Sequence, residues 1–155
     1  MIITLGNILD FLPNYEYVLV REDTPIEELK DIVRKHPGVR SIYVTDKEGR
    51  VVGEVSIGAL IKAATALRRC RGGLSARELL SCLSCKKAGD IVDRRLVYAT
   101  SDEDVEKVLD RCLKYNIKEL PVLDEKRHVI KNIGVLDLLA QLEKDDDPSK
   151  GFKKA

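Results

Sequence analysis

Apolar and polar residues follow the same pattern at two places along the chain. Residues 41–64 contain two short β-branched runs and then a helical periodicity, which predicts a strand, a tight turn, a strand and a helix. The turn runs from Asp46 to Gly49, and glycine suits the positive φ that a hairpin requires. The pattern returns 78 residues later, at 119–142, with Asp124 in the place of Asp46. We interpret the two stretches as copies of one repeat.

The last helix of each copy has apolar residues at positions i, i+3, i+4 and i+7, which lie on one helical face. They are Ile57, Leu60, Ile61 and Ala64 in the first copy, and Val135, Leu138, Leu139 and Leu142 in the second. The agreement extends over the whole hairpin and helix, so the two copies are expected to fold alike.

An earlier helix is predicted in each copy. Thr24, Pro25 and Glu27 form a capping box with proline at the first helical position. Residues 101–104 take the same capping role in the second copy. The inward faces are Ile26, Leu29, Ile32 and Val33 in the first copy, and Val105, Val108, Leu109, Cys112 and Leu113 in the second.

Each copy also has an opening segment and a first strand. Leu5–Asp10 returns as Ala88–Asp93, and the strand candidate Tyr17–Val20 is echoed by Leu96–Tyr98. Each repeat therefore has the order β-α-β-β-α, and a unit this small exposes too much apolar surface alone. We expect a pseudo-twofold pair. Its predicted boundaries are 1–66 for the first repeat, 67–87 for a connector, 88–144 for the second repeat and 145–155 for a polar tail.

Composition narrows the class of protein. The net charge of +1 gives no bulk electrostatic reason to expect nucleic acid or an anionic membrane as partner. Four cysteines are too few and too clustered for a secreted disulfide framework. The N-terminus has no signal-peptide pattern, and no apolar run approaches the roughly 20 residues that span a bilayer. We therefore expect a cytoplasmic protein.

The two openings, Gly6-Asn7-Ile8 and Gly89-Asp90-Ile91, and the strand endings IYVTD and LPVLD resemble the CBS domain family. The resemblance covers the chain from about Leu5 to Glu143. It implies an α+β fold of tandem CBS domains packed about a pseudo-twofold axis, a pair known as a Bateman module. Such pairs form homodimeric discs and bind AMP, ADP, ATP or S-adenosylmethionine in clefts between the repeats. They act as sensors that signal to a partner protein, so no catalytic residue, cofactor or metal is expected.

The family's nucleotide signature is a glycine, two apolar residues, Ser or Thr, two further residues and Asp. The hydroxyl group and the helix N-terminus meet phosphate, and the aspartate accepts hydrogen bonds from the ribose hydroxyls. The first repeat has Gly53, Ser56 and Ala59 at the three positions, and the second has Lys131, Gly134 and Asp137. Each repeat therefore keeps a different part of the signature.

By the same resemblance, each cleft takes residues from both repeats. Asp137 and Gly134 would share a cleft with Asn7, Asp10, Val39 and Arg40, and Ser56 would share one with Asp90, Asp93, Ile117 and Lys118. Arg40 and Lys118 are the phosphate candidates. The Asp137 cleft is the better ribose site, so we expect at most one good adenylate site in each chain.

Two other interpretations remain open. The altered signature positions favour a dimerisation scaffold with empty clefts. Acidic helix starts could instead bind Mg²⁺ in a metal sensor; they are Glu27, Glu28, Asp102, Glu103 and Asp104. The Cys82–Cys85 CxxC pair lacks further ligands nearby, and His36 and His128 lack a nucleophile partner, so a redox, zinc or catalytic role is not expected.

Overall fold

The structure is a computed structural model, and it describes residues 2–66 and 75–146. Helices α1 to α6 span Leu5–Ile8, Ile26–Arg34, Ile57–Ala64, Ala76–Leu83, Val105–Tyr115 and Val135–Asp146. Strands β1 to β5 span Val18–Arg21, Ile42–Thr45, Val51–Val55, Glu119–Leu123 and Val129–Gly134. Short 3₁₀ turns lie at Leu9–Phe11 and Ala88–Asp90. The chain forms two compact units, which we name the Ser56 unit (Glu16–Leu96) and the Asp137 unit (Met1–Tyr15 with Val97–Ala155).

The Ser56 unit is built on a three-stranded sheet in the order β1-β2-β3. Strand β1 runs parallel to β2, and β2 runs antiparallel to β3 through the predicted hairpin. Helix α2 turns Ile26 and Leu29 into the core, as its periodicity predicts. The buried core residues are Val18, Val20, Ile26, Leu29, Val39, Ile42, Val44, Val55, Leu60 and Ala88.

The Asp137 unit has the antiparallel pair β4-β5. The strand predicted at Leu96–Tyr98 is wrong: these three residues form no strand or bridge, and the next residue, Ala99, makes an isolated parallel bridge to Val122. Pro121 explains the difference: it has no N–H to donate to a parallel neighbour, whereas Tyr43 holds the matching place in β2. The buried core comprises Leu5, Ile8, Leu12, Ala99, Val105, Val108, Cys112, Leu120, Val122, Ile133 and Leu138.

Both predicted hairpin turns are confirmed, and they have the same hydrogen-bond pattern. The Asp46 carboxylate accepts hydrogen bonds from the backbone N–H groups two and four residues later, at 2.9 and 3.0 Å. Asp124 does the same at 2.9 and 2.8 Å. Gly49 has a φ of 81°, and Arg127 takes a φ of 63° in the second turn. The repeated aspartate therefore has a local structural role in each turn.

The capping box predicted for α2 is wrong. Pro25 is the N-cap, and it makes no side-chain capping hydrogen bond. Instead Ile26 N–H donates to the Lys86 carbonyl at 2.9 Å, and the Thr24 carbonyl accepts from Ala88 N–H at 2.8 Å. A distant segment thus pairs with the backbone at the start of this helix. In α5 the N-cap is Asp104, whose carboxylate accepts from Glu106 N–H at 3.0 Å.

The opening segment of each repeat packs with the other half of the chain. Gly6 N–H donates to the Ser101 carbonyl at 2.7 Å within the Asp137 unit. Gly89 N–H donates to the Glu22 carbonyl at 2.9 Å within the Ser56 unit. The two opening segments therefore make the same contact. The Asp137 unit combines two separate parts of the chain, and in the Ser56 unit the contact joins residues near its two ends.

The predicted apolar helix faces are only partly buried. Leu60 and Leu138 are buried, but Leu113, assigned to the apolar face of α5, is 79% exposed. In α6, Leu139 of the predicted face is 39% exposed, and Leu136, which lies outside that face, is 80% exposed. Within residues 2–66 and 75–146, none of the helices combines the length and the apolar character needed to cross a membrane.

Candidate functional site

We name two groups of residues by the signature positions that they hold. The Asp137 site comprises Lys131, Gly134 and Asp137, and the Ser56 site comprises Gly53, Ser56 and Ala59. Both lie where the second hairpin strand passes into the last helix of its repeat. At such a step the first N–H groups of the helix are not used within the helix, and they favour an anion or a hydroxyl oxygen nearby.

Asp137 lies in the first turn of α6 and is partly buried. The structure places Asn7 and Asp10 in the same unit, in the opening segment. Asn7 is engaged locally, because its side-chain oxygen accepts from the N–H and the hydroxyl of Thr4 at 3.2 and 2.8 Å. Asp10 lies in the 3₁₀ turn and is exposed to solvent.

Tyr15 occupies the Asp137 site. Its hydroxyl group donates a hydrogen bond to Oδ2 of Asp137. A Cβ atom added to Gly134 would lie 2.7 Å from Cε2 of the Tyr15 ring and 2.8 Å from Oδ2 of Asp137. Glycine at this position is therefore explained by the ring that packs against it, because a hydroxyl-bearing residue could not fit there without moving Tyr15.

Backbone and amide hydrogen bonds hold Tyr15 against β5. Tyr15 N–H donates to the carbonyl of Asn132 at 2.8 Å, and Asn132 N–H donates to the side-chain oxygen of Asn14 at 2.9 Å. The buried Asn132 side chain also donates to Glu119 at 2.8 Å. The peptide around Tyr15 is thus attached to the strand that ends at Gly134, while its ring reaches forward to the start of α6.

Lys131 also contacts the opening segment. Its ammonium group donates to the carbonyl of Leu9 at 2.8 Å. A lysine in the position of the signature glycine is accommodated because its long side chain extends to this carbonyl. The two departures from the signature in the second repeat, Lys131 and Gly134, are therefore both matched to the path of residues 9–15.

The hydrogen bond to Asp137 raises the pKa of the Tyr15 phenol, and partial burial and the negative charges of Asp137 and Glu119 act in the same direction. A tyrosine gives up its proton as the pH rises, so a raised pKa keeps the phenol protonated over a wider range. Tyr15 is therefore a hydrogen-bond donor to Asp137 throughout the neutral range.

The Ser56 site has a different arrangement. Ser56 is the N-cap of α3, and its hydroxyl oxygen accepts from Ala59 N–H at 3.0 Å. Asp93 pairs with Glu54 through two backbone hydrogen bonds of 2.8 and 3.0 Å. A Cβ atom added to Gly53 would lie 2.2 Å from the carbonyl oxygen of Asp93. The signature glycine is thus required here by the close approach of the second opening segment.

The two aspartates expected beside Ser56 are hydrogen-bonded within their own segment. Asp90 accepts from the N–H groups of Lys86 and Lys87 at 3.0 and 3.1 Å, and these hydrogen bonds lower its pKa. Arg95 bonds the Asp93 carboxylate through its side chain, at 3.1 and 3.2 Å, and through its N–H, and it lowers the pKa of Asp93. Both carboxylates are charged at neutral pH and have partners within their own segment.

The remaining predicted residues are divided between the units. Val39 and Arg40 belong to the Ser56 unit, where Val39 is part of the core and Arg40 is exposed. Ile117 and Lys118 belong to the Asp137 unit, and the Lys118 carbonyl accepts from Val135 N–H at 3.0 Å. Their predicted contribution to a ligand site stays a prediction.

Acidic helix starts and cysteines do not form a metal cluster in the described ranges. Across residues 2–66 and 75–146, no three His, Cys, Asp or Glu side chains come together in a way that could hold an ion. Burial acts to raise the pKa of Glu103, but hydrogen bonds from Arg111 and Thr100 outweigh it and lower the pKa. Cys85 is partly buried, and the side chain of Cys82 lies outside the part of the structure that is described.

Tyr15, Asn14 and Asn132 were missed by the sequence reasoning, although the sequence contains a signal for them. Six residues separate Asp10 from Tyr17, but only two separate Asp93 from Leu96. The first opening segment is therefore four residues longer than the second, and Tyr15 lies in the extra length. An insertion beside an altered signature is the feature that would have drawn attention to it.

Comparison with known proteins identifies related sequences. A family model described as "CBS domain" matches residues 5–66 and 88–144. The magnesium transporter MgtE of Thermus thermophilus is 30% identical over 132 residues, which are 83% of this chain and 25% of the transporter. The chain thus spans a quarter of the length of this curated relative.

Two solved structures are similar over most of this chain. A CBS domain-containing protein from Thermotoga maritima has a TM-score of 0.64 at 27% identity, covering 92% of this chain and 95% of that chain. The cytosolic domain of the Mg²⁺ channel MgtE in complex with ATP has a TM-score of 0.60 at 27% identity, covering 81% of this chain and 44% of that chain.

Proposed function

Because the chain belongs to the CBS domain family, we propose that it is a regulatory sensor that binds an adenosine-containing ligand at the Asp137 site. The family and the fold class of tandem CBS repeats, with mixed helices and strands, are as the sequence predicts. The ligand class comprises AMP, ADP, ATP and S-adenosylmethionine. Binding would change the balance between two conformations and so alter a partner protein.

One observation carries this proposal. The Asp137 carboxylate stands in the first turn of α6 and accepts a hydrogen bond from a hydroxyl group, that of Tyr15. A ribose hydroxyl offers the same donor chemistry. Partial burial strengthens such a bond, because a hydrogen bond to a charged group contributes about 1.5–3 kcal/mol where water is partly excluded.

The similarity to a solved complex supports the choice of ligand. The cytosolic domain of MgtE, to which this chain is 27% identical, has been solved in complex with ATP. This chain corresponds to a quarter of the MgtE transporter, so we propose the sensing role and not a transport activity. ATP is accordingly the first compound to test, with the other three adenosine compounds beside it.

The Ser56 site is a weaker candidate. It keeps the glycine and the hydroxyl group, but Ala59 stands in the place of the aspartate. The missing hydrogen bond between a carboxylate and a ribose hydroxyl would cost about 1.5–3 kcal/mol, or roughly ten- to a hundredfold in affinity. We therefore propose one adenosine site per chain.

The rest of the proposal concerns assembly and setting. Exposed apolar residues of α5 and α6, Leu113 and Leu136, offer surface for a homodimer. We propose a cytoplasmic protein that acts on a protein partner, without a catalytic role and without a nucleic-acid or membrane partner. Its net charge of +1 supports the absence of nucleic acid.

A second candidate function is a dimerisation scaffold that binds no small molecule. The observation in its favour is Tyr15, whose ring packs against Gly134 and whose hydroxyl group bonds Asp137. Under this account the tyrosine is a permanent substitute for the ligand.

A thermal-shift panel with AMP, ADP, ATP and S-adenosylmethionine separates the two functions. A ligand at about a hundred times its dissociation constant adds about 2.7 kcal/mol to the free energy of unfolding. For a chain of this size that is roughly 5–11 °C in Tm. The sensor predicts a shift with at least one compound, reduced in Asp137→Ala and kept in Asp110→Ala, which removes an exposed carboxylate of α5. No shift with any compound contradicts the sensor and favours the scaffold.

A further inference from the structure

Tyr15 meets both distinctive residues of the Asp137 site at once. Its hydroxyl group bonds the carboxylate, and its ring atoms Cε2 and Cζ lie 2.7 and 3.1 Å from the position of a Cβ atom on Gly134. The tyrosine thus occupies the hydrogen-bond acceptor that a ligand hydroxyl would need. It also covers the residue that holds the signature hydroxyl position.

We propose that Tyr15 is a built-in competitor at the Asp137 site, which the hydroxyl group of a ligand must displace. This inference rests on the proposed function, because it assumes a ligand that donates a hydroxyl group to Asp137. It makes Tyr15 a residue that sets affinity and specificity. A compound without a suitable hydroxyl donor would gain nothing from displacing the tyrosine.

The anchoring of Tyr15 allows its side chain to leave while its backbone stays. The peptide is fixed to β5 by the bond from Tyr15 N–H to the Asn132 carbonyl, and the nearby Leu12 is buried in the core. The Tyr15 side chain itself is exposed enough, at 39%, to rotate outward without opening that core. Displacement is therefore a rotation of one side chain, which is a fast and local event.

The competitor is present at only one of the two sites. In the Ser56 unit the shorter opening segment lays the backbone of Asp93 directly along β3, and Ala59 offers no carboxylate to occupy. The extra residues that carry Tyr15 thus occur beside the one site that retains its aspartate. This coincidence is expected if the tyrosine acts on ligand binding and is unexplained if it only fills space.

Ligand binding replaces the hydrogen bond from Tyr15 to Asp137 with one from the ligand hydroxyl group to Asp137. Because the Tyr15 bond must first be broken, it weakens the affinity for the ligand. Removing the Tyr15 hydroxyl group should tighten binding by about tenfold, which corresponds to one charge-assisted hydrogen bond at the low end of its range. Removing the ring as well should give at least the same gain, since Gly134 is then uncovered.

The test is calorimetric titration of AMP, ADP, ATP and S-adenosylmethionine into the wild-type chain, Tyr15→Phe and Tyr15→Ala. Tyr115→Phe is the matched control, because it removes a hydroxyl group from an exposed tyrosine at the end of α5. We expect about tenfold tighter binding in Tyr15→Phe and no change in the control. Tyr15→Phe keeps the ring, so its fold is not at risk.

An optical titration reports the same event without relying on affinity. The difference in tyrosinate absorbance between the wild-type chain and Tyr15→Phe isolates the Tyr15 phenol. Its pKa lies above the ordinary tyrosine value because of Asp137, and a bound ligand should lower it toward that value. An unchanged phenol pKa at ligand saturation contradicts displacement.

The outcomes separate this inference from the proposed function. If the wild-type chain binds and Asp137→Ala weakens binding, but Tyr15→Phe binds equally or more weakly than the wild-type chain, the competitor is refuted and the function stands. If only the Tyr15 variants bind, the competitor is supported, and Tyr15 then blocks the Asp137 site of the wild-type chain. If none of the four compounds binds any variant, both are overturned.

Discussion

The Ser56 site and the Asp137 site descend from one pattern, and they differ where an opening segment packs. In the Ser56 unit, Gly53 is kept because the carbonyl oxygen of Asp93 lies 2.2 Å from where a Cβ atom would stand. In the Asp137 unit the corresponding residue is Lys131, which reaches the Leu9 carbonyl instead. The signature glycine of the first repeat is therefore required by packing.

The second difference concerns the hydroxyl position. Ser56 caps its helix through a bond from Ala59 N–H, whereas Gly134 leaves space for the ring of Tyr15. The ring of Tyr15 fills the space beside Gly134, and its hydroxyl group bonds the aspartate. The comparison shows that signature positions must be interpreted together with the segment that packs on them.

The largest predicted effect tests the claim that Gly53 is required by packing. Gly53→Ala should lower the free energy of unfolding by about 3 kcal/mol, because the new methyl group meets the Asp93 backbone and overpacking of this kind is costly. Urea denaturation measures it. Gly38→Ala, where nothing lies within 4 Å of the new methyl group, is the control. Equal stability of the two variants would refute the packing explanation.

Adding a carboxylate to the Ser56 site tests the claim that its absence weakens ligand binding there. Ala59→Asp should give the Ser56 site an adenosine affinity about ten- to a hundredfold higher, by adding the hydrogen bond to a ribose hydroxyl. Titration calorimetry should then show a second binding event. Ala59→Asn has a similar shape without the charge and should give a smaller gain. An identical response in the two variants would show that the carboxylate is not the limiting feature.

A double-mutant cycle tests the contact between Tyr15 and Gly134. Gly134→Ser should destabilise the wild-type chain by about 1–2 kcal/mol, since its Cβ atom would meet the ring at 2.7 Å. In a Tyr15→Ala background much of that cost should disappear, and the difference is the coupling energy. Costs that simply add would mean that the Asp137 oxygen, and not the ring, resists the side chain.

The smallest predicted effect is the pH dependence of the Asp93–Arg95 pair. The pKa of Asp93 is lowered in the folded chain, so its contribution is complete above the ordinary aspartate pKa and is lost as the pH falls through the lower folded value. Arg95→Ala should lower the free energy of unfolding only slightly at neutral pH, as for an exposed pair, and not at all in strong acid. Urea denaturation from pH 2 to pH 7 measures it; a cost independent of pH would contradict the ion pair.

Local patterns predicted much of the fold. The hairpins follow from Asp46, Asp124 and Gly49, whose turn chemistry acts within five residues. The inward faces of α2 and α5 follow from their periodicity, apart from the exposed Leu113. These features could be predicted because the interactions that create them join residues that are close together in the sequence.

Contacts between distant segments explain the errors. The start of α2 is paired with the backbone of Lys86 and Ala88, which lie some sixty residues further along the chain, so Thr24 was the wrong cap. The strand at Leu96–Tyr98 failed because Pro121, on another strand, has no N–H to give. An argument from local sequence propensity includes neither of these distant segments.

The candidate site was predictable only in part. Asp137 was identified by its position in the signature, but Tyr15 lies in an insertion that the second repeat lacks, so comparing the repeats gave nothing to align with it. Gly134 was interpreted as a lost hydroxyl group, although its physical role is to admit the tyrosine ring. The missing information was the path of the opening segment.

The most direct test of the central claim is the number of adenosine sites per chain. Titration calorimetry with ATP, and with the other three compounds, should be run on the wild-type chain, Asp137→Ala and Ser56→Ala. We predict one site per chain that Ser56→Ala leaves in place and that Asp137→Ala weakens, by the full ten- to hundredfold (about 1.5–3 kcal/mol) in the Tyr15→Phe background, where no competing bond has to be broken. Two equivalent sites, or binding that is lost with Ser56 and indifferent to Asp137, would contradict the account.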